Sequence, residues 1–256
     1  LHDALPILYI NIALDWGIIV EDYTLFYPCN LDIRNKLYLW DLNSIAMGKI
    51  KNIVFDLGGV IIDLDRDEPV RRLIEIGVKD ADGLIDPYEQ KGVFQDLETG
   101  KIGVEEFCRY LRKHTGKDLS YEDICWAWFG FIGGVPQYKL DYILKLREKY
   151  QVYLLSNTNP IIQLEWAQTK EFTPAGRPLN DYFDKLYLSY EIGVTKPDRE
   201  IFDRMVLDSG IKPEETLFVD DGKNNIVVGQ ELGFYTYQPL NGEDWRGRLD
   251  EILSKS

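Results

Sequence analysis

The chain has 256 residues, 45% of them hydrophobic and 28% charged, enough to bury a sizeable core in one large domain or two smaller ones, which excludes a disulfide-stapled miniprotein and a disordered chain. Its longest early apolar stretch, Leu8 to Val20, is broken by Asn11 and Asp15, so no run reaches the roughly 18 uninterrupted apolar residues of a membrane-spanning helix. With 29 Lys and Arg against 43 Asp and Glu the net charge is −14, which repels phosphate backbones and anionic lipid at long range.

Nucleic acid and membranes are therefore not expected partners, and no obligate protein partner is inferred. An anionic small substrate remains open, provided a metal ion or a local Lys reverses the sign inside the site. Residues 1 to 46 lack the basic and apolar regions of a secretory signal and show no long helical or strand periodicity. Their opening, His2-Asp3-Ala4-Leu5-Pro6-Ile7, matches the translation of a common sequencing adaptor. A non-native extension ahead of a start at Met47 is expected, with a short genuine extension as the alternative, and no function is placed there.

From Lys51 onward strand and helix signals alternate, the mark of an α/β fold with a mostly parallel sheet. The strand candidates are Asn52 to Phe55, Val152 to Leu155, Lys185 to Leu188, Thr216 to Val219 and Phe234 to Tyr237. Helical spacing of apolar residues marks Tyr138 to Tyr150, Ile161 to Lys170, Arg199 to Ser209 and Asn224 to Leu232. Between the first and second strands, Asp67 to Pro136 carries helical pieces and no strand signal. That divides the chain into a core of residues 47–66 and 137–256 and an inserted helical cap of residues 67–136. The cap's Trp126, Trp128, Phe129 and Phe131 form either its own core or the wall of a pocket beneath it. Cys29, Cys108 and Cys125 are too scattered for a disulfide framework or a paired-cysteine metal site, which suits a reducing cytoplasm. With only His2 and His114, a His-based triad is not expected.

Polar residues cluster where the strands end, which is where open α/β sheets bind ligands. The first strand runs into Asp56-Leu57-Gly58-Gly59 and the second into Ser156-Asn157-Thr158-Asn159. The loop after the third holds Lys196-Pro197, and the fourth ends in Asp220-Asp221-Gly222. A lone Asp or Ser at such a position is commonly a turn or cap residue, but two adjacent carboxylates repel one another unless a cation lies between them.

In this order, Asp56, Ser156, Lys196 and the Asp220-Asp221 pair resemble the four motifs of the haloacid dehalogenase-like hydrolase superfamily, over Lys51 to about Leu253. The segments Phe55-Asp56-Leu57-Gly58, Leu155-Ser156-Asn157-Thr158-Asn159, Tyr187-Leu188-Ser189 and Lys196-Pro197 look most like the glucose-1-phosphatase-type members. So does the turn Glu98-Thr99-Gly100-Lys101-Ile102 followed by Glu105-Glu106-Phe107. The resemblance implies a Rossmann-like, doubly wound parallel sheet with a small helical cap, hydrolysing small phosphate monoesters. It makes Asp56 the nucleophile, forming an aspartyl-phosphate that water then hydrolyses. Mg²⁺ would be held by Asp56, the Gly58 carbonyl and the Asp220-Asp221 pair, with Lys196 neutralising phosphoryl oxygens and Ser156 and the Asn157 amide binding the phosphate at a helix start. Both acids reach one ion only if the chain leaves strand geometry there, which Gly222 permits.

One position departs from the family. Most of its phosphatases carry a second Asp two residues after the nucleophile, as acid and base for the leaving oxygen, where this chain has Gly58. Asp63 or Asp65 are the nearby alternatives. Without that acid, aldose 1-phosphates, whose leaving oxygen belongs to a hemiacetal, are the expected substrates. The competing readings are a metal-independent 2-haloacid dehalogenase and a non-catalytic binding protein on the same fold.

Overall fold

The computed structural model describes residues 49–65, 67–85 and 90–256. The expected extension of residues 1 to 46 lies outside the described residues, as does Cys29. In chain order, β1 (Asn52–Phe55) leads to β2 (Asp63–Leu64), α1 (Asp67–Ile76), α2 (Ala81–Leu84), α3 (Val93–Glu98), α4 (Val104–Thr115), α5 (Tyr121–Trp128) and β3 (Ile132–Gly134). There follow α6 (Gln137–Leu146), β4 (Gln151–Ser156), α7 (Pro160–Ile162), β5 (Lys185–Leu188), α8 (Ser189–Ile192) and α9 (Arg199–Ser209). The chain closes with β6 (Thr216–Val219), α10 (Lys223–Glu231), β7 (Tyr235–Tyr237) and α11 (Arg246–Leu253).

The five expected core strands form one parallel sheet in the order β5-β4-β1-β6-β7. Phe55 at the end of β1 stands opposite Leu154 of β4 and Val219 of β6, so the three loops that follow these strands open side by side. Strand residues alternate between two apolar layers. Ile53, Phe55, Leu154, Leu217 and Val219 pack with Leu140, Ile143 and Leu249 of α6 and α11 on one face. Val54, Leu155 and Phe218 pack with Ile201, Phe202, Met205 and Ile226 of α9 and α10 on the other. Coverage on both faces explains why these strands read as continuous apolar runs. This is the doubly wound α/β sheet, and β1 lies where the winding reverses, since β5 precedes β6 in sequence yet sits on the opposite side of it.

Between β1 and β4 a separate apolar cluster joins Leu73, Phe94, Leu97, Phe107, Leu111, Ile124 and Trp128. Phe94 meets Phe107 edge-on at 5.2 Å, a geometry that aromatic quadrupoles favour. Ser120 starts α5 with a reciprocal capping box, its Oγ accepting from Asp123 N while Asp123 accepts from Ser120 N. Contrary to the sequence reading, this segment contains a strand. β3 pairs antiparallel with β2, Leu64 opposite Ile132 and Asp63 opposite Gly134. Strands of two and three residues, one with two glycines, leave no alternation to detect. The ribbon is tied to the sheet domain by Asn241, whose side chain accepts from Leu64 N at 2.9 Å and donates to Leu64 O at 2.8 Å. The helix expected over Ile161 to Lys170 also differs. Asn159 Oδ1 caps it and Pro160 opens it, but after Ile162 the chain widens into a π-helical turn at Gln163–Ala167.

Candidate active site

Asp56, Gly58, Ser156, Asn157, Lys196 and Asp221 line one pocket above the carboxyl ends of β1, β4 and β6, and Asp220 lies fully buried behind it. The structure thus brings together residues that lie up to 165 positions apart, as the crevice at a winding reversal does. β6 ends at Val219, so Asp220 and Asp221 leave strand geometry and both turn toward Asp56. One carboxylate oxygen from each of Asp56, Asp220 and Asp221 lies within 4.8 Å of the others. Gly59 holds this approach open. Its φ is +73°, and a Cβ there would stand 2.2 Å from Asp221 Oδ2, so any side chain would be both strained and in collision.

Lys196 is 1% exposed and its ammonium is fully committed. Nζ lies 2.8 Å from Asp56 Oδ1 and 2.7 Å from Asp220 Oδ2, and it donates to the Leu155 carbonyl at 2.8 Å. With three donors used, the Lys196 ammonium is placed to fix and neutralise these carboxylates. Asp220 also accepts from Gly222 N at 2.8 Å and Asn225 Nδ2 at 2.9 Å on its other oxygen. The Asp56 hydrogen bonds both fall on Oδ1, from Leu57 N at 2.7 Å and from Lys196.

The electrostatics call for more positive charge. Burial pushes the Asp56 carboxyl up to about 7 against the pull of Lys196, and Asp220 and Asp221 push it further the same way. Burial works against the Lys196 ammonium too, but Asp220 and Asp56 more than offset it and its pKa stands raised. Three carboxylates facing one ammonium fit a divalent cation with hard oxygen ligands.

Ser156 and Asn157 also make contacts that the sequence did not announce. Ser156 Oγ donates to Asn157 O at 3.3 Å, and the helical turns that follow begin at Pro160 and continue through Ala167. Asn157 acts through its side chain, donating from Nδ2 to Lys196 O at 2.8 Å and accepting from Lys196 N on Oδ1 at 2.7 Å. Of the four aromatics, Trp128 and Phe131 line the pocket. Trp126 lies on the surface under the Arg72 guanidinium, 4.9 Å from its ring, and Phe129 packs on the helical cluster. Asp63 and Asp65 do not line the pocket. Asp63 pairs with buried Lys139 at 3.2 Å, and Asp65 Oδ1 accepts from Asp67 N and Glu68 N at 2.9 Å each.

The residue that sequence reasoning missed is Glu98. It ends α3, is 8% exposed and lines the pocket with Asp56. Burial, reinforced by the negative charge of Asp56, pushes its carboxyl up to about 8. A signal existed, because Phe94, Leu97 and Glu98 sit at i, i+3 and i+4, which puts an acid on the apolar face of the helix. Beside it, the indole N–H of Trp128 is buried with no acceptor among the described residues.

Residues 50–233 match the family model for haloacid dehalogenase-like hydrolases. The chain belongs to the haloacid dehalogenase-like hydrolases. A D-ribitol-5-phosphate phosphatase of Bacteroides thetaiotaomicron is 56% identical over 205 residues, which is 80% of this chain and 99% of that protein. Among solved structures, a HAD-like hydrolase from Porphyromonas gingivalis has a TM-score of 0.77 at 47% identity, covering 80% of this chain and 98% of its own. A HAD family enzyme from Bacteroides thetaiotaomicron, solved as a magnesium complex, has a TM-score of 0.73 at 44% identity, covering 79% and 99%. In this haloacid dehalogenase-like hydrolase, the Asn157 clasp sets where Lys196 enters the site. Asn157→Ala is expected to lower kcat by about 10²-fold with KM little changed, the scale of a 1 Å misplacement of catalytic groups. Steady-state kinetics on the folded variant checks it.

Proposed function

We propose that the chain is a Mg²⁺-dependent phosphatase of small sugar or polyol phosphates, working through an aspartyl-phosphate on Asp56. The observation that carries this is the meeting of Asp56, Asp220, Asp221 and Lys196 at the mouth of β1. Asp56, the Gly58 carbonyl, Asp220 and Asp221 would hold the ion, which when bound supplies the positive charge that lets one anion approach another. Lys196 keeps Asp56 oriented and ionised, and attack by its carboxylate on phosphorus releases the alcohol. The cap residues Trp128 and Phe131 add apolar surface to the pocket wall. Among the described residues no helix is long and apolar enough to cross a membrane. Free, buried Cys108 and Cys125 suit a cytoplasmic enzyme.

Two ester classes compete within this reading. Gly58, in place of an acid, favours aldose 1-phosphates, whose hemiacetal oxygen departs more readily unprotonated. The 56% identical relative is named for D-ribitol 5-phosphate, an ester of a primary alcohol. Phosphate release from D-ribitol 5-phosphate, glucose 1-phosphate and glucose 6-phosphate, with Mg²⁺ and with EDTA, separates them. The expected result is Mg²⁺-dependent turnover with at least tenfold discrimination between the first two. A wild type that releases phosphate from none of them, or equally well in EDTA, overturns the reading.

A further inference from the structure

We propose that Glu98 is the general acid and base of this enzyme, taking from the cap side the role that Gly58 leaves unfilled. The assignment rests on the phosphatase reading above. A phosphate monoester of an ordinary alcohol leaves as an alkoxide unless a proton reaches the bridging oxygen, so a site built around Gly58 needs a donor from elsewhere. Asp63 and Asp65 are engaged at Lys139 and at the start of α1. Glu98 is the carboxyl that the cap contributes to the pocket that Asp56, Asp221 and Lys196 also line.

Three further observations fit a reacting group. Glu98 is more than nine-tenths buried, yet burial and the Asp56 charge, with no hydrogen bond among them, set its acidity. Both influences favour the protonated form, which is the form that can donate. Trp128, 2% exposed, lines the same pocket and has a buried indole N–H without an acceptor among the described residues. Finally, the turn that follows Glu98 is seated on the sheet domain. Gly100, at φ +63°, lies against Tyr190, where a Cβ would meet the carbonyl oxygen at 2.2 Å. The contact fixes the end of α3 relative to α8, which follows β5, and so fixes the height of Glu98 over the site.

The chemistry runs in two halves. Asp56 attacks phosphorus, the bond from phosphorus to the alcohol oxygen breaks with its electron pair going to that oxygen, and the Glu98 proton follows it there. Water then attacks the phosphorus of the aspartyl-phosphate and gives a proton to the Glu98 carboxylate, while the bond from phosphorus to the Asp56 oxygen breaks with its electron pair returning to the carboxylate, which leaves inorganic phosphate, free Asp56 and protonated Glu98.

The test is the dependence of kcat/KM on leaving-group acidity, because kcat/KM reports the first half alone. A series from 4-nitrophenyl phosphate through less acidic phenyl phosphates to simple alkyl phosphates carries no hydroxyl that a binding role could read. Glu98→Gln, close in shape and neutral like the protonated acid, is expected to lose about 10²–10⁴-fold on the alkyl esters and less than threefold on 4-nitrophenyl phosphate. The plot should steepen accordingly. Should Glu98→Gln fail to fold, Glu98→Met reads the same slope. An equal loss across the whole series, or none, overturns the assignment and leaves the phosphatase reading standing. A wild type inactive on every ester overturns both.

Discussion

Asp56→Asn is expected to lower Mg²⁺-dependent phosphate release by about 10⁴-fold or more, the scale on which loss of a nucleophile acts, while leaving the fold intact. The amide lacks the nucleophilic oxygen and contributes no charge to the cation site. Stability should not suffer, because burial already disfavours the ionised carboxyl, whose pKa is raised to about 7, and Asn fills nearly the same space without that cost. Its Oδ1 can still accept from Leu57 N and Lys196, which are 2.7 and 2.8 Å away in the wild type. The wild type should also bind beryllofluoride in the presence of Mg²⁺, as a carboxylate forming an acyl-phosphate mimic does, and the variant should not. Turnover in Asp56→Asn within tenfold of wild type would remove the mechanism at its first step, whatever the substrate.

Much of this arrangement could be read from the sequence, for a definable reason. Each core strand is buried on both faces, so each reads as a short apolar run, and polar residues that end those runs line the candidate site. Asp56 and the Asp220-Asp221 pair were legible in this way, Lys196 only through its place in the order of the family motifs, and Lys185 to Leu188 and Thr216 to Val219 coincide with β5 and β6. What escaped was whatever depends on tertiary contact. Asn157 looks like a helix-start residue until its side chain is seen on the Lys196 backbone, 39 residues away. The ribbon of β2 and β3 is too short to carry a period. Glu98 gave only the weak signal of an acid on an apolar helix face, and nothing local says that this face meets Asp56. A buried acid of this kind breaks the local pattern, and such breaks are expected where function competes with packing.

Lys196→Met should separate what the buried ion cluster does for stability from what it does for chemistry. Removing the ammonium leaves Asp56 and Asp220 without the partner 2.8 and 2.7 Å away. Breaking a buried pair on one side typically costs about 3–5 kcal/mol, because a charge stays buried without compensation. That loss is expected in urea denaturation with EDTA at pH 7. It should shrink when Mg²⁺ is added, since an ion bound only to the folded state supplies both positive charge and binding free energy. Adding Asp220→Asn to Lys196→Met should recover part of the stability in EDTA, because the second change removes a carboxylate that the first left unpaired. Asparagine can still accept from Gly222 N, which the Asp220 Oδ1 bonds at 2.8 Å. Activity should not return with it. Lys196→Met alone is expected to lose about 10²–10³-fold in kcat, the scale of removing one preorganised positive group, and the double variant more. If the single variant loses under about 1 kcal/mol, or if the two changes add without coupling, Lys196 is not the counter-charge that holds Asp56 and Asp220 in the fold.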